Sequence, residues 1–326
     1  MNLDLLYWAV DCGLRVADGV GLLDRIHAAS NPVVLMYHGI LRQKHSKIGC
    51  QAVDRGGFAR QMRYLKRRFH IVHPDEIHHG IGPISSNGKR PVVLTFDDGF
   101  ASNATIARPI LEELQIPAVF FVSTRHVEPG RYLWFAHARA LFSLWRGREI
   151  KLLGWTWELS SSSARHRALR HFGAEARKVA VEEVYGALSQ YPVEDFVPSE
   201  TIEDELRGMT EAELASIAEG DLFVIGAHTC NHPFLTKCSQ MQMEKEIFFA
   251  KRKLEQICGR LVTLFAYPDG DYDSAVATKV RQAGFRLAFA VDPHGEITDS
   301  EMAIPRVGLY RAGIGILSAK ISGILS

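Results

Sequence analysis

The sequence contains no paired cysteine motif, no long apolar run and no excess of charge of one sign. Its five cysteines are scattered over 326 residues without a CxxC pair. Neither a disulfide framework nor a cysteine zinc site is therefore indicated, and a reducing compartment is favoured. No window reaches about 18 uninterrupted apolar residues, which argues against a membrane-spanning helix. The formal net charge of +1 creates no field that would favour nucleic acid as a partner.

Both ends of the sequence carry apolar segments. The N-terminal segment has neither a basic leader nor a small-residue cleavage site, so we expect a cytoplasmic protein, with the inner face of the membrane as an alternative location. Residues 1–30 predict a helical extension, and residues 311–326 form an apolar tail. We expect both to pack on the domain as extra outer helices. Peripheral contact with a membrane stays open, although neither segment has the Lys- and Arg-rich face typical of such contact.

Apolar runs with strand character alternate with segments of helical periodicity through most of the chain. Val33–Tyr37 and Ala118–Val122 are such runs, and residues 58–69 between them have apolar side chains at helical spacing. This alternation predicts an α/β fold with parallel strands and right-handed crossovers. Polar residues follow the strand ends, where parallel barrels build their sites. We therefore predict a barrel of about seven strands over residues 31–310.

The segment from about residue 126 to residue 210 interrupts this alternation. It is rich in Trp, Arg, Glu and Ala, and it predicts a mostly helical insertion that leaves from the end of a strand bordering the site. Insertions at this face often shape a site, so a lid or a substrate-recognition subdomain is one interpretation. The other interpretation is an elaboration that only adds packing to the barrel.

Two neighbouring carboxylates, Asp97 and Asp98, come directly after the strand predicted over residues 92–96. On an extended strand their side chains would point to opposite faces. A turn at Gly99 would let both of them reach a central site, where they would have different roles. The alternative is that one of them caps the helix that follows.

Two histidines, His228 and His232, follow a second apolar run over residues 222–225. Their spacing would place both on one face of a helical turn, as in paired zinc ligands. With one aspartate they form a set that suits a catalytic zinc ion with an open position. The second carboxylate could then deprotonate a water. Two unrelated surface histidines are the alternative. The facial triad of non-haem iron oxygenases fits neither the spacing nor the predicted fold.

The two motifs together resemble those of the polysaccharide deacetylases of the NodB-homology type, carbohydrate esterase family four. Residues 95–99 are Thr-Phe-Asp-Asp-Gly, and residues 228–233 are His-Thr-Cys-Asn-His-Pro. Residues 34–38, 265–270 and 304–307 resemble the branch that processes bacterial exopolysaccharides. The resemblance implies a distorted (β/α)7 barrel and removal of N-acetyl groups from sugars. It also implies one divalent metal ion, with zinc expected and cobalt or nickel as alternatives.

The resemblance implies roles for individual residues as well. Asp97 corresponds to the general base that activates the attacking water. Asp98, His228 and His232 correspond to the metal ligands. The backbone N–H of Tyr267 would stabilise the oxyanion, as the corresponding region does in the family.

Two positions depart from the family pattern. The arginine that normally orients the catalytic aspartate is replaced by Ala266. Arg306 from the last strand would take its place and keep Asp97 ionised. The usual late histidine acid is also absent, and His38 at the end of the first strand is our candidate substitute, with His294 as the second choice. Structural roles for Arg306 and His38 stay open.

These observations predict a metal-dependent hydrolase that removes N-acetyl groups from a hexosamine in a bacterial glycan or in a lipid-linked glycan precursor. The expected partner is therefore a carbohydrate and not a nucleic acid. One alternative is a deformylase or amidase that uses the same site on another amide. The other is a non-catalytic glycan-binding barrel. The sequence predicts no oligomeric state.

Overall fold

The computed structural model describes residues 11, 33–43, 46, 48, 52–77, 89–291, 300–310 and 313–325. The helical extension predicted over residues 1–30 lies outside the described residues except for Asp11, and His294 also lies outside them. The carboxylate of Asp11 accepts a hydrogen bond of 3.0 Å from the backbone N–H of Ile316, near the start of the C-terminal helix.

Within the described part of the chain, seven parallel strands close into a barrel, which confirms the predicted fold. The strands in chain order are β1 (Val33–Tyr37), β2 (Ile40–Leu41), β3 (Val53–Asp54), β4 (His70–Ile71), β5 (Pro91–Phe96), β6 (Ala118–Val122), β7 (Glu149–Leu152), β8 (Trp155–Glu158), β9 (Phe223–Ala227), β10 (Leu264–Ala266), β11 (Leu287–Ala290) and β12 (Ile304–Gly308). Around the barrel the order is β1-β12-β11-β10-β9-β6-β5, and β5 pairs with β1 to close it. β4 pairs with the first residues of β5, and β2 pairs with β3.

The barrel strands are largely apolar because both faces of most of them are covered. Every residue of β1, β5 and β6 is buried, as in parallel sheets enclosed by helices. Successive side chains alternate between two cores. One core fills the barrel interior and includes Val34, Val93 and Phe121. The other lies between the strands and the outer helices and includes Phe96 and Phe120.

Helices surround the barrel and form most of the insertion. The α-helices in chain order are α1 (Arg55–Arg68), α2 (Arg108–Glu113), α3 (Trp134–Leu144), α4 (Ser162–Ala176), α5 (Val181–Leu188), α6 (Ser199–Thr201), α7 (Glu211–Ala218), α8 (Gln240–Glu244), α9 (Ala250–Cys258), α10 (Ser274–Gln282) and α11 (Ile314–Ile321). π-helical turns precede α2, follow α6 and join α8 to α9, at Asn103–Ala107, Ile202–Leu206 and Lys245–Phe249. Short 3-10 turns lie at Pro74–Glu76, Thr124–Val127, Val193–Asp195, Leu235–Lys237, Pro268–Gly270 and Ser300–Met302.

Local signals explain where several helices begin and end. α1 begins after Asp54, whose carboxylate accepts a 3.0 Å hydrogen bond from the N–H of Gly57, which satisfies a donor of the first turn. α9 ends at Gly259, whose φ of 64° is left-handed, as is usual for a glycine that stops a helix.

The C-terminal tail includes α11, whose apolar side chains are buried against the domain. Leu317 and Ile321 belong to the main core, and Tyr64 of α1 donates a 3.0 Å hydrogen bond to the hydroxyl of Ser318. Among the helices that the structure describes, none combines the length and the hydrophobicity needed to cross a membrane.

The segment between β6 and β9 contains a helical body with a core of its own. α3, α4 and α5 pack around side chains that include Phe142, Trp157 and Phe172. The segment also contains the antiparallel hairpin of β7 and β8, which the helical prediction missed. Its two-residue turn has positive φ at both Leu153 (51°) and Gly154 (78°), the geometry of a tight hairpin turn. The glycine between two runs with strand character was the available signal.

Candidate active site

Alternation along the barrel strands places polar side chains at the top of the barrel interior. Asp97, His228 and Arg306 lie at or just beyond the C-terminal part of β5, β9 and β12. Asp97 and Arg306 share the parity of interior residues such as Val93 and Ile304, which are buried in the apolar layer below. Since alternate residues face the same side of a strand, the carboxylate and the guanidinium are directed towards the barrel axis.

Asp98, His228 and His232 form a buried cluster of metal-ligating side chains. Oδ1 of Asp98 lies 3.5 Å from Nε2 of each histidine, and the ligand atoms of the three residues lie within 4.8 Å of one another. Both Asp98 oxygens are buried, and neither has a hydrogen-bond partner among the described residues. A buried carboxylate without a partner is costly. Two imidazoles and this carboxylate therefore fit a divalent cation.

The backbone of this cluster adopts left-handed conformations. φ is 75° at Asp98 and 53° at His232, and such residues cost on the order of 1–3 kcal/mol each. The turn predicted at Gly99 is present, with a φ of 77°, and a Cβ on that residue would lie 2.8 Å from Cγ1 of Val122. The helical turn predicted for the two histidines is wrong. Residues 228–232, the histidine loop, are irregular, so left-handed backbone brings the imidazoles together.

Hydrogen bonding and burial set the protonation of the cluster. Nδ1 of His228 donates to the carbonyl of Ala266 at 2.8 Å, which directs Nε2 towards Asp98. Burial acts to lower the pKa of His228, but Asp98 and Asp97 outweigh it and raise the pKa above its ordinary value. Burial and the neighbouring His228 lower the pKa of His232 to about 4, which leaves this imidazole neutral near pH 7.

Asp97 and Arg306 form a buried, bidentate ion pair. Nη1 and Nη2 of Arg306 lie 2.6 and 2.7 Å from the two Asp97 oxygens. The side chain of Arg306 is 0% exposed and that of Asp97 is 3% exposed. Burial acts to raise the pKa of Asp97, but Arg306 and His228 outweigh it, so the pKa lies below its ordinary value. The guanidinium expected from the last strand is thus in contact with the carboxylate, and Asp97 is ionised at neutral pH.

Side chains of the insertion hold the histidine loop from outside the barrel. The indole Nε1 of Trp134 donates to the carbonyl of His232 at 2.9 Å, and the Tyr185 hydroxyl donates to the carbonyl of Asn231 at 3.1 Å. The ring of Phe135 lies 4.8 Å from that of His232. The sequence did not single out these contacts, because aromatic side chains in a helical segment usually belong to a core.

Glu246 holds the same loop from the other side. Its carboxylate accepts hydrogen bonds from the backbone N–H groups of Cys230 and Asn231, at 2.9 and 2.8 Å. It also accepts one of 2.6 Å from the side-chain amide of Asn231. Glu246 is buried, and burial raises its pKa. The only signal in the sequence was an acidic residue within a helical segment, which is common without such a role.

His38, predicted as the general acid, lies at the cavity. Its buried Nδ1 has no hydrogen-bond partner among the described residues. Its ring lies 5.6 Å from that of Tyr310, a cavity residue that the sequence did not single out.

The oxyanion role predicted for the Tyr267 N–H is contradicted. That group donates to the carbonyl of Phe289 at 3.0 Å, because Tyr267 extends the pairing of β10 with β11 and its N–H is directed into the barrel wall.

A cavity of about 580 Å³ opens above these residues, a size within the usual range for small-ligand sites. The barrel contributes one wall, with Asp97, Asp98 and His38. The insertion contributes the other, which includes Phe135 and Arg139. The charged groups of the barrel therefore share one cavity with side chains of the insertion.

Comparisons with known proteins find a deacetylase family model and structures with a similar fold. The polysaccharide deacetylase family model matches residues 85–288. Among solved structures, the fold is similar to that of BC0361, a polysaccharide deacetylase from Bacillus cereus, at 18% identity and a TM-score of 0.58, over 90% of this chain and 69% of that one. No curated protein matches the sequence.

Two further structures are similar over nearly their full lengths. IcaB from Ammonifex degensii has 20% identity and a TM-score of 0.57, over 90% of this chain and 98% of that one. The Streptococcus pyogenes deacetylase PplD, in complex with acetate, has 17% identity and a TM-score of 0.56, over 89% and 97% of the two chains. At these identities the likeness concerns the fold.

Proposed function

Because the chain belongs to the polysaccharide deacetylase family and is a hydrolytic N-deacetylase, we propose that it is metal-dependent and removes N-acetyl groups from a hexosamine. The proposed substrate is a bacterial glycan or a lipid-linked glycan precursor. The observation that carries the proposal is the buried cluster of Asp98, His228 and His232. Its carboxylate lacks any hydrogen-bond partner among the described residues and lies beside the ionised Asp97.

The donor set supports one divalent ion held by Asp98, His228 and His232. Nitrogen and oxygen ligands of this kind suit zinc, and cobalt or nickel are alternatives. When bound, the ion would supply a Lewis acid that polarises the amide carbonyl and lowers the pKa of a water.

Asp97 is the proposed general base. It lines the cavity next to Asp98, and it is ionised because both of its oxygens contact Arg306. The bidentate contact also fixes the orientation of the carboxylate. In this assignment Asp97 removes the proton from the attacking water, and Arg306 is a positioning residue that touches no substrate.

His38 is the proposed general acid. Its Nδ1 is buried at the cavity wall without a hydrogen-bond partner among the described residues, so it can carry a proton to the leaving amine without breaking an existing contact. Tyr310 lies beside it, and burial raises the pKa of Tyr310 to about 12. That hydroxyl therefore stays protonated at neutral pH and is a candidate donor to the oxyanion in place of the Tyr267 N–H.

The proposal is tested by following product release from the purified protein. Chelator-treated protein, then the same protein with zinc, cobalt or nickel restored, is incubated with N-acetylated hexosamine oligosaccharides and with their N-formyl counterparts. We expect acetate release only after metal is restored. Formate release without acetate release would replace the deacetylase with the deformylase alternative. Acetate release that persists in the chelator-treated protein would contradict the proposed metal dependence.

A further inference from the structure

The insertion lines one wall of the cavity with arginine side chains. Arg139 comes from α3, Arg170 comes from α4, and Arg177 directly follows α4. The cavity-lining residues in and just after α4 share one face because of their helical spacing: they are Arg170, Gly173, Ala174 and Arg177. The two small residues leave space between the arginines, and no atom lies within 4 Å of the position that a Cβ on Gly173 would occupy.

Two of these three arginines have no partner within the described residues. Arg177 forms an ion pair with Asp269, and its guanidinium lies 4.3 Å from the centre of the Phe234 ring. Arg139 and Arg170 have neither a hydrogen bond nor an ion pair with any residue that the structure describes. Arg139 is half-buried, so its charge is partly removed from water without an anion to offset the cost.

The carboxylates of the cavity are engaged elsewhere. Asp97 is held by Arg306. Asp98 faces the two histidines. Asp269 is held by Arg177. A divalent ion at the histidines would add further positive charge. The wall formed by the insertion therefore has a surplus of positive charge that none of the described residues neutralises.

Arg139 lines the same cavity as the proposed reacting groups. It follows Phe135 by four residues on α3, so both are on the same face, separated by about 6 Å along the helix axis. The ring of Phe135 is 4.8 Å from the ring of His232. An anion held by Arg139 would thus belong to the sugar that reacts or to the group attached directly to it.

We propose that Arg139 and Arg170 form an anion subsite, which binds a phosphate or carboxylate group of the substrate next to its acetamido sugar. The inference rests on the proposed function, because it names the class of sugar that the site accepts, an acidic one. The planar guanidinium matches both oxyanions. The anion is either a phosphoryl group esterified to the sugar or the carboxylate of an acidic sugar residue.

Binding to the metal-free protein tests the subsite without relying on turnover. Chelator-treated protein is titrated calorimetrically with inorganic pyrophosphate and, separately, with glucuronate. We expect one of the two to bind, and Arg139→Gln and Arg170→Gln each to weaken that binding by about tenfold or more, the usual effect of losing a charge-assisted hydrogen bond. Arg139→Lys should fall between the wild type and Arg139→Gln.

Arg148→Gln is the matched control, because Arg148 lies in the same insertion but is exposed and outside the cavity. Its binding should equal that of the wild type. Binding of neither anion, or equal weakening by Arg148→Gln and Arg139→Gln, would overturn the subsite. The anion that binds identifies the source of the charge: pyrophosphate a phosphoryl group, glucuronate a sugar acid.

Turnover then distinguishes failure of the subsite from failure of the proposed function. Metal-loaded protein is compared on N-acetylglucosamine 1-phosphate, on a disaccharide of glucuronic acid and N-acetylglucosamine, and on the neutral methyl glycoside. We expect a higher kcat/KM on one acidic substrate and loss of this preference in Arg139→Gln. Equal turnover of all three substrates would overturn the subsite and keep the deacetylase. Arginine-dependent anion binding without any deacetylation would keep the subsite and count against the proposed reaction.

Discussion

The barrel and the insertion contribute to the same cavity in different ways. The barrel supplies the groups proposed to take part in the reaction: two carboxylates, three histidines, Tyr310 and Arg306, all within or shortly beyond the C-terminal parts of its parallel strands. The insertion supplies side chains that contact the histidine loop from outside, through Trp134, Phe135 and Tyr185. It also supplies the arginines of the cavity wall. The proposed reacting groups and the side chains that hold the histidine loop from outside thus come from separate parts of the chain.

This difference has a physical basis. Asp97, Asp98 and Arg306 lie in or directly after strands that are paired on both edges, so their positions follow from the strand register. The histidine loop has no regular structure and includes left-handed residues. Such a conformation persists only when its surroundings over-determine it. The hydrogen bonds that Trp134 and Tyr185 donate to the loop, and those that Glu246 accepts from it, provide that restraint.

The largest expected effect is that of Arg306→Gln, which should lower stability and turnover without changing metal binding. Arg306→Gln leaves the buried Asp97 without its charge partner, and we expect a loss of about 3–5 kcal/mol in the free energy of unfolding. The pKa of Asp97 lies below its ordinary value in the wild type, so its ionisation adds stability above the unfolded pKa that is lost as pH falls through the folded pKa. The variant should lose this contribution.

Denaturant unfolding and a pH–rate profile check this prediction. We expect a lower kcat, an acid limb of the profile displaced to higher pH, and unchanged metal content. The double variant Asp97→Asn with Arg306→Gln should be more stable than Arg306→Gln alone, because no unpaired charge is then buried. An acid limb that does not move would show that Arg306 does not control the ionisation of Asp97.

A smaller effect compares a glycine of the barrel with one of the insertion. Gly99 and Gly130 have similar φ values of 77° and 68°, but a Cβ would meet Val122 at 2.8 Å only at Gly99. Gly99→Ala should therefore lose about 2–4 kcal/mol of stability through backbone strain and steric overlap. Gly130→Ala carries the strain alone and should lose about 1–2 kcal/mol. If thermal unfolding shows equal losses of stability in the two variants, the close contact with Val122 does not contribute to the effect of Gly99→Ala.

The smallest effect tests whether the insertion supports the metal site. Trp134→Phe removes the indole donor to the His232 carbonyl, and we expect metal affinity to fall by about tenfold, as when an outer partner of a metal ligand is lost. Trp157→Phe is the matched control, since its indole donates to the carbonyl of Leu152 inside the insertion. Zinc titration against a competing chelator measures both variants. A similar loss of affinity in the two would indicate a general loss of stability instead of local support.

The sequence was most informative where regular structure determines position. The run Ala118–Val122 matched the observed strand residue for residue, because a fully buried parallel strand needs continuous apolar character. The proximity of Asp98 to the two histidines followed from their places at strand ends. The contact between Arg306 and Asp97 was expected because the arginine of the family pattern is missing, and an opposite charge from the last strand would keep Asp97 ionised.

The sequence was least informative about contacts between segments far apart in the chain. The hydrogen bond from Trp134 to His232 joins residues 98 positions apart, and no local pattern specifies it. The Tyr267 N–H was assigned to the oxyanion from the family resemblance, and nothing local indicated that the strand pairing continues through it to Phe289. The histidine loop was predicted as a helical turn because a spacing of four residues fits helical periodicity. The same spacing also occurs in an irregular loop, and the sequence does not distinguish the two.

The central claim is that Asp98 holds a metal ion while its neighbour Asp97 transfers a proton. The most direct test is the metal content, by mass spectrometry, of Asp97→Asn and Asp98→Asn prepared in parallel, with acetate release measured on the same samples. We predict that Asp97→Asn keeps one divalent ion per chain while its turnover falls by about 100- to 10,000-fold. Asp98→Asn should lose both the ion and the turnover. Equal metal content in the two variants, or loss of metal from Asp97→Asn alone, would contradict the claim.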